Sequence, residues 1–252
     1  MSKTDFPLIE IRDLIHRFAD GTEALKGINL ELYQTDFTVL GGENGSGKTV
    51  LMKHLNGILQ PTSGDVLFNG VSIKKDPWPA RSRLGFIFQN SDTQFVAQTV
   101  RDDIAFGPEN LGLDDNEIKQ RVNSAAESME ISDLLDHSPH RLSGGEKKKV
   151  AIAGILAMNP ELIIFDEPFA GLDFHGVKMV LRKMLEVHEN GTGVIVITHD
   201  LEKVLAHADR FIIIKDGLVT ADGQPAELLA KAAESGMRVP EGIAVNRMSW
   251  LK

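Results

Sequence analysis

Hydrophobic and polar residues alternate over Leu8–Leu14 and Ala24–Leu32, on either side of a turn at Asp20-Gly21, and again over Asp65-Val66-Leu67-Phe68 ahead of Asn69-Gly70. A period of two with turn dipeptides between the runs predicts hairpins with one face buried and one in water, an antiparallel β layer. Phe37-Thr38-Val39-Leu40 is a short apolar strand instead. It runs into a glycine-rich loop and then into the helically spaced segment Thr49–Ile58.

From about Asn90 to Met158 the spacing is helical, most clearly over Asp114–Ile131, and Pro108 and Pro139 predict breaks. Short buried runs then return at Leu162–Phe165, Val194–Thr198 and Phe211–Ile214, separated by predicted helices over Phe174–His188 and Leu201–Ala208. Such β-α alternation implies a parallel sheet with its functional loops at the C-terminal ends of the strands. Asp216-Gly217 marks a final turn and Ala226–Ala233 a last helix, while Gly236–Lys252 has no readable periodicity. The expected organisation is one α/β domain over 1–252. Its catalytic core spans about 1–89 and 159–235, with a helical subdomain inserted at 90–158 and a tail at 236–252.

Composition narrows the class. Hydrophobic residues at 42% and charged residues at 25% are ordinary for a globular enzyme. Twenty-seven Lys and Arg against 36 Asp and Glu give a net charge of −9, which argues against nucleic acid as the main partner. The absence of cysteine excludes disulfides, thiolate metal sites and cysteine nucleophiles. Met1–Glu10 lacks the apolar stretch of a signal peptide, and the longest largely apolar run, Val150–Met158, is far short of the roughly 20 residues of a membrane span. A membrane role therefore has to come through a partner.

Gly42-Glu43-Asn44-Gly45-Ser46-Gly47-Lys48-Thr49 fits G-x-x-x-x-G-K-[ST] between a predicted strand and a predicted helix. Successive backbone N–H groups of such a loop wrap a phosphate at a helix N-terminus. Lys48 would reach the β and γ phosphates of ATP, and the Thr49 hydroxyl would bind Mg²⁺. The alternative is a glycine-rich turn with a chance lysine, against which the flanking strand and helix argue.

Leu162-Ile163-Ile164-Phe165-Asp166-Glu167 is an apolar strand ending in two acids. Asp166 is the candidate Mg²⁺ ligand and Glu167 the candidate general base for the attacking water, although such a pair also caps turns. Leu142-Ser143-Gly144-Gly145-Glu146 carries S-x-x-E, a helix capping box, and its helix N-terminus is equally a second anion site; both readings can hold together.

Leu-Ser-Gly-Gly-Glu about 20 residues before an Asp-Glu strand resembles the signature of ABC ATPases. The resemblance implies a P-loop NTPase fold with ATP and Mg²⁺ as ligands, and further roles follow position by position. Gln89, after the strand Leu84–Phe88, resembles the Q-loop glutamine that meets Mg²⁺ and the water. Asp173 in Gly171-Leu172-Asp173 resembles the D-loop, and His199 in Thr198-His199-Asp200 the switch histidine at the γ phosphate. Phe18 matches the aromatic that stacks on adenine. Each alone has an ordinary structural explanation; their order and spacing over Leu8–Leu229 do not.

Phe88-Gln89-Asn90-Ser91-Asp92-Thr93-Gln94-Phe95, Asp103–Leu113 and Val150–Met158 are similar to the cobalt, nickel and energy-coupling-factor importers, with Ser91 where that subfamily usually has Pro and Phe169 where Thr is common. This implies an energy-coupling subunit at the cytoplasmic face of the membrane. Its partners would be a second ATPase chain, identical or related, an integral-membrane coupling protein and a substrate-binding membrane protein. Asp92 and Gln94 are expected as polar contacts to that membrane partner, and Ser143 with Gly144 is expected to act across a dimer. The competing readings are an ATPase of a nucleic-acid machine, an ATPase of another transporter class, and a binding module that closes without turnover. Long coiled coils, zinc insertions and a second cassette are absent, and Glu167 and His199 are present.

Overall fold

The computed structural model describes residues 6–240 and 242–251. β1 (Ile9–Arg17) and β2 (Glu23–Leu32) form the expected hairpin, and β4 (Ser63–Phe68) and β5 (Val71–Ser72) extend it into a four-stranded antiparallel sheet ordered β2-β1-β4-β5. β3 (Phe37–Gly41) leaves this layer for a second sheet and is followed by α1 (Lys48–Leu55); α2 (Trp78–Arg83) leads into β6 (Leu84–Ile87). Three helices come next, α3 (Val100–Asn110), α4 (Asp115–Ser128) and α5 (Gly144–Ala157). The chain then alternates through β7 (Leu162–Asp166), α6 (Phe174–Glu189), β8 (Gly193–Ile197), α7 (Leu201–Val204), β9 (Arg210–Lys215), β10 (Leu218–Gly223) and α8 (Pro225–Glu234). The second sheet is ordered β10-β9-β3-β8-β7-β6, parallel except for the edge strand β10.

The unbroken apolar runs have a physical cause in this arrangement. Phe37, Val39, Ile163, Phe165, Val194, Val196 and Ile213 point to the face covered by helices. Leu40, Leu162, Ile164, Ile195, Ile197, Ile212 and Ile214 point to the face covered by α1 and the antiparallel sheet. Both faces are buried, so neither set can be polar. In β1, by contrast, buried and exposed positions interleave, because one face meets water.

Pro108 does not break its helix, as the sequence suggested; it lies in the last turn of α3. A proline there removes a single donor close to the end, and the Leu111 and Leu113 N–H groups still bond to the Gly107 and Pro108 carbonyls. Pro139 opens a short 3₁₀ turn over Pro139–Arg141. The helix predicted over Leu201–Ala208 is one α turn continued as 3₁₀ over Leu205–His207.

The segment without periodicity is packed rather than loose. Met237 and Met248 are buried in the same core as α6 and α7, the Met248 carbonyl accepts from the Ala206 N–H at 3.0 Å, and His207 Nε2 meets Ser249 Oγ at 2.6 Å. The Trp250 ring lies 5.5 Å from that of Phe174 and under the Lys203 ammonium at 4.9 Å. Met248→Ala is expected to destabilise the chain by about 2–5 kcal/mol in urea unfolding, the cost of truncating a core methionine; a change within error would put this segment outside the core.

Candidate functional site

The loop after β3 curls because two of its glycines adopt conformations closed to other residues. Gly42 has φ 149° and a Cβ there would run into the Ile214 carbonyl; Gly47, the N-cap of α1, has φ 104° and a Cβ would sit 2.6 Å from the Ala24 carbonyl oxygen. The loop folds around the Lys48 ammonium, which donates to the carbonyls of Gly42 and Glu43 at 2.8 Å each and lies 3.5 Å from Ser46 Oγ. Burial lowers the pKa of Lys48, while the carboxylates of Glu167 and Asp166 pull it back up.

Across the cleft, the Thr49 hydroxyl donates to Asp166 at 3.0 Å. Burial raises the pKa of Asp166, the Thr49 bond lowers it, and the neighbouring Glu167 raises it again. Glu167 follows with φ 43°, a left-handed conformation that turns its carboxylate away from the strand direction. Its Oε1 lies 2.8 Å from His199 Nδ1 and its Oε2 accepts from the Thr198 hydroxyl at 3.2 Å. Gln89, just beyond β6, and Phe18, after β1, complete a cleft of about 550 Å³. Phe18 is held edge-on by His16 at 4.8 Å, and His16 in turn contacts His54 of α1 at 3.1 Å.

The cleft thus brings Phe18, Asn44, Gly45, Gly47, Lys48, Thr49, Gln89, Asp166, Glu167 and His199 together, with Gly42, Glu43 and Ser46 forming the loop that seats Lys48. It offers a cationic, N–H-lined cradle, two carboxylates and a histidine, a set suited to polyphosphate chemistry. Residues 25–170 match the family model described as ABC transporter. The chain belongs to the ABC transporter family, as one of its ATPases.

Among similar proteins is an energy-coupling factor transporter ATP-binding protein of Methanocaldococcus jannaschii, 41% identical over 92% of this chain and 86% of that one. Another, from Methanothermobacter thermautotrophicus, is 42% identical over 92% of this chain and 77% of that protein. The solved structure of cbiO1 from Clostridium perfringens, part of the ABC transporter complex cbiONQ, superposes with TM-score 0.79 at 37% identity, over 94% of this chain and 97% of that one.

Ser143, Gly144, Gly145 and Asp173, also expected in the site of this ABC ATPase, lie apart from the cleft. Gly145 and Asp173 line a separate depression between the starts of α5 and α6. Ser143 closes the capping box, with its N–H donating to Glu146 at 2.8 Å and its hydroxyl donating to the same carboxylate at 2.6 Å. Asp173 caps α6 through the Gly176 N–H at 2.8 Å. Gly144 stands with Gly145 at the start of α5, and a Cβ on either would meet nothing within 4 Å.

Both residues expected to meet a partner also have bonds within the chain, and Asp92 is exposed. Asp92 pairs with Lys147 at 2.6 Å, and the Gln94 amide folds back onto the Phe88 N–H and the Phe86 carbonyl. The sequence reading missed Lys148. It is 3% exposed, donates to the carbonyls of Phe88 and Gln89 at 3.1 Å each, and is lowered by burial to a pKa of about 8. Within Lys147-Lys148-Lys149 it reads as one more solvated cation, and no periodic signal separates it from its neighbours.

Gly47→Ala is expected to lower the melting temperature more than Gly45→Ala. Both residues are at positive φ, but only the Gly47 position adds a clash with backbone, whereas the space around Gly45 is open. Comparing the two by thermal denaturation checks this, and equal losses would mean that the loop yields at Ala24.

Proposed function

We propose that this chain is the ATP-hydrolysing subunit of an importer of the cobalt/nickel or energy-coupling-factor type, working at the cytoplasmic face of a membrane as a pair that sandwiches two nucleotides. The names of its relatives support the importer class. The observation that carries the pairing is the position of Gly144 and Gly145. Glycine in a first helical turn costs stability relative to alanine, yet neither residue has positive φ or a crowded Cβ to account for it. Their open backbone N–H groups suit a phosphate brought by a second chain. A similar solved structure, a dimeric ATP-binding cassette bound to ADP and Pi, matches at 25% identity and TM-score 0.78 over 86% of this chain and 98% of that one.

In this reading the Gly42–Thr49 loop wraps the β and γ phosphates, with the Lys48 ammonium moving from the loop carbonyls to phosphate oxygens. Phe18 stacks on the adenine. Thr49, Asp166 and Gln89 present oxygen ligands of the kind Mg²⁺ accepts. Among the described residues no cluster of three His, Cys, Asp or Glu side chains is poised for a metal, and nucleotide-bound Mg²⁺ needs only one or two carboxylates besides phosphates. Bound there, Mg²⁺ would neutralise charge on the phosphates. Glu167 then accepts a proton from the attacking water, and His199, released from its 2.8 Å contact with Glu167, reaches the γ phosphate. Ser143, Gly144, Gly145 and Asp173 complete the site from the partner chain.

The membrane partners of this reading are an integral coupling protein and a small membrane protein that binds the solute, a transition-metal ion such as cobalt or nickel, or a vitamin. No helix among the described residues is long and apolar enough to cross a membrane. An apolar groove between the edge of the large sheet and α3 and α5, rimmed by the exposed side chains of Ile58, Val96 and Phe106, supports docking of a segment of the coupling protein there. The inserted helical subdomain at 90–158 would then swing with that segment.

Glu167→Gln is expected to retain ATP and to lose turnover by about 10²–10⁴, the usual worth of a general base; steady-state phosphate release within threefold of the parent removes that role. For the shared site, Lys48→Ala chains are mixed with Ser143→Arg chains, both in the Glu167→Gln background, and trapped ATP is measured. Only the mixed pair contains one intact composite site, and it is expected to trap ATP above either variant alone. Verified heterodimers that trap none would favour a site closed within one chain.

A further inference from the structure

Burying an ammonium costs several kcal/mol even after partial relaxation, and an apolar side chain of similar length would fill the place of Lys148 without that cost. What the ammonium does there is specific. β6 ends at Ile87, its last residue paired with β7, so the carbonyls of Phe88 and Gln89 leave the sheet with no strand partner. Lys148 reaches across from α5 and binds both, at 3.1 Å each. One residue earlier on the same helix, Lys147 pairs with Asp92 at 2.6 Å, on the far side of the Gln89 turn. Two consecutive lysines of α5 therefore grip the segment on both sides of Gln89.

Lys148 stands five residues after Ser143 on an unbroken helix, about 7.5 Å along its axis. We propose that Lys148 is a positioning residue that fixes the backbone of Gln89 to the signature helix, so that engagement of Ser143 and Gly144 with a nucleotide sets where the Gln89 side chain stands in the cleft. This rests on the role given above to Gln89 and gives that role a mechanical cause. Hydrogen bonds to two successive carbonyls hold the two peptide planes that flank the Gln89 Cα, one of which a single contact would leave free to rotate. A shift of α5 at its start is thereby transmitted to Gln89 through one turn of helix and one side chain. Misplacing a group near reacting atoms by about 1 Å can lower a rate by about a hundredfold.

The test is a double-mutant cycle on the full chain, measuring steady-state ATP hydrolysis, binding of a fluorescent ATP analogue and melting temperature for Lys148→Met, Gln89→Ala and the double variant. Lys148→Met is expected to lower kcat by about ten- to a hundredfold while analogue affinity stays within about twofold. In the Gln89→Ala background the same substitution should change kcat by less than about twofold, because the group it positions is gone. A side chain that merely supports the fold would act equally in both backgrounds, and that additive result overturns the proposal, as does a Lys148→Met chain with unchanged kcat. A Gln89→Ala chain with normal turnover defeats the assigned role of Gln89 itself and is recognised from the single variant. Should Lys148→Met fail to fold, Lys148→Gln, which keeps a donor at shorter reach, carries the same cycle: loss of its effect beside Gln89→Ala supports the positioning role, and an additive effect overturns it.

Discussion

The parallel register of four buried strands is the constraint on which the cleft depends. Leu40 of β3 lies opposite Ile197 of β8, Ile197 opposite Asp166 of β7, and Phe165 opposite Ile87 of β6. Residues that follow these strands therefore emerge at one edge, spaced by the roughly 4.8 Å between neighbouring strands. The loop that seats Lys48, the pair Asp166 and Glu167, His199 and Gln89 are gathered by that edge alone, though they are spread over more than 150 positions of sequence. A register slip of one residue in β7 would turn Asp166 to the opposite face of the sheet and break its 3.0 Å bond to Thr49.

Burial on both faces of the sheet makes the charges at its edge mutually dependent. Lys48, Asp166 and Glu167 are all nearly closed off from water, and each shifts its neighbours: the carboxylates support the lysine's charge, and Glu167 opposes ionisation of Asp166. The site is pre-assembled as a set of paired groups. Lys48 is held by carbonyls and Glu167 by His199 and Thr198, so a ligand has to exchange existing hydrogen bonds for new ones rather than meet bare charge. These pairings satisfy the buried groups without a ligand.

The helical segment follows a different logic. Ser143 is satisfied by its own capping box, and a Cβ on Gly144 or Gly145 would meet open space among the described residues. Lys147 and Lys148 of α5 hold the segment around Gln89.

The local signals are legible in the amino-acid sequence by itself. Gly42, Gly47 and Lys48 in fixed spacing, the apolar run ending at Asp166-Glu167, and Ser143 three residues before Glu146 each report chemistry that depends only on neighbours along the chain, and the P-loop fold of an ABC ATPase follows from their order. Elements with strong periodicity are likewise readable, whereas the end of α1, the interruption of α7 and the tolerance of Pro108 depend on a few backbone hydrogen bonds. Tertiary structure alone decides the rest. Lys148 differs from Lys147 and Lys149 only in what packs over it, Gln94 turns back onto the end of β6 while Asp92 stays at the surface beside Lys147, and Met248 and Trp250 enter the core without any period to announce it. Sequence patterns record the repeating geometry of helices and strands; which side chains meet between elements is set by how the elements pack, and that carries no period.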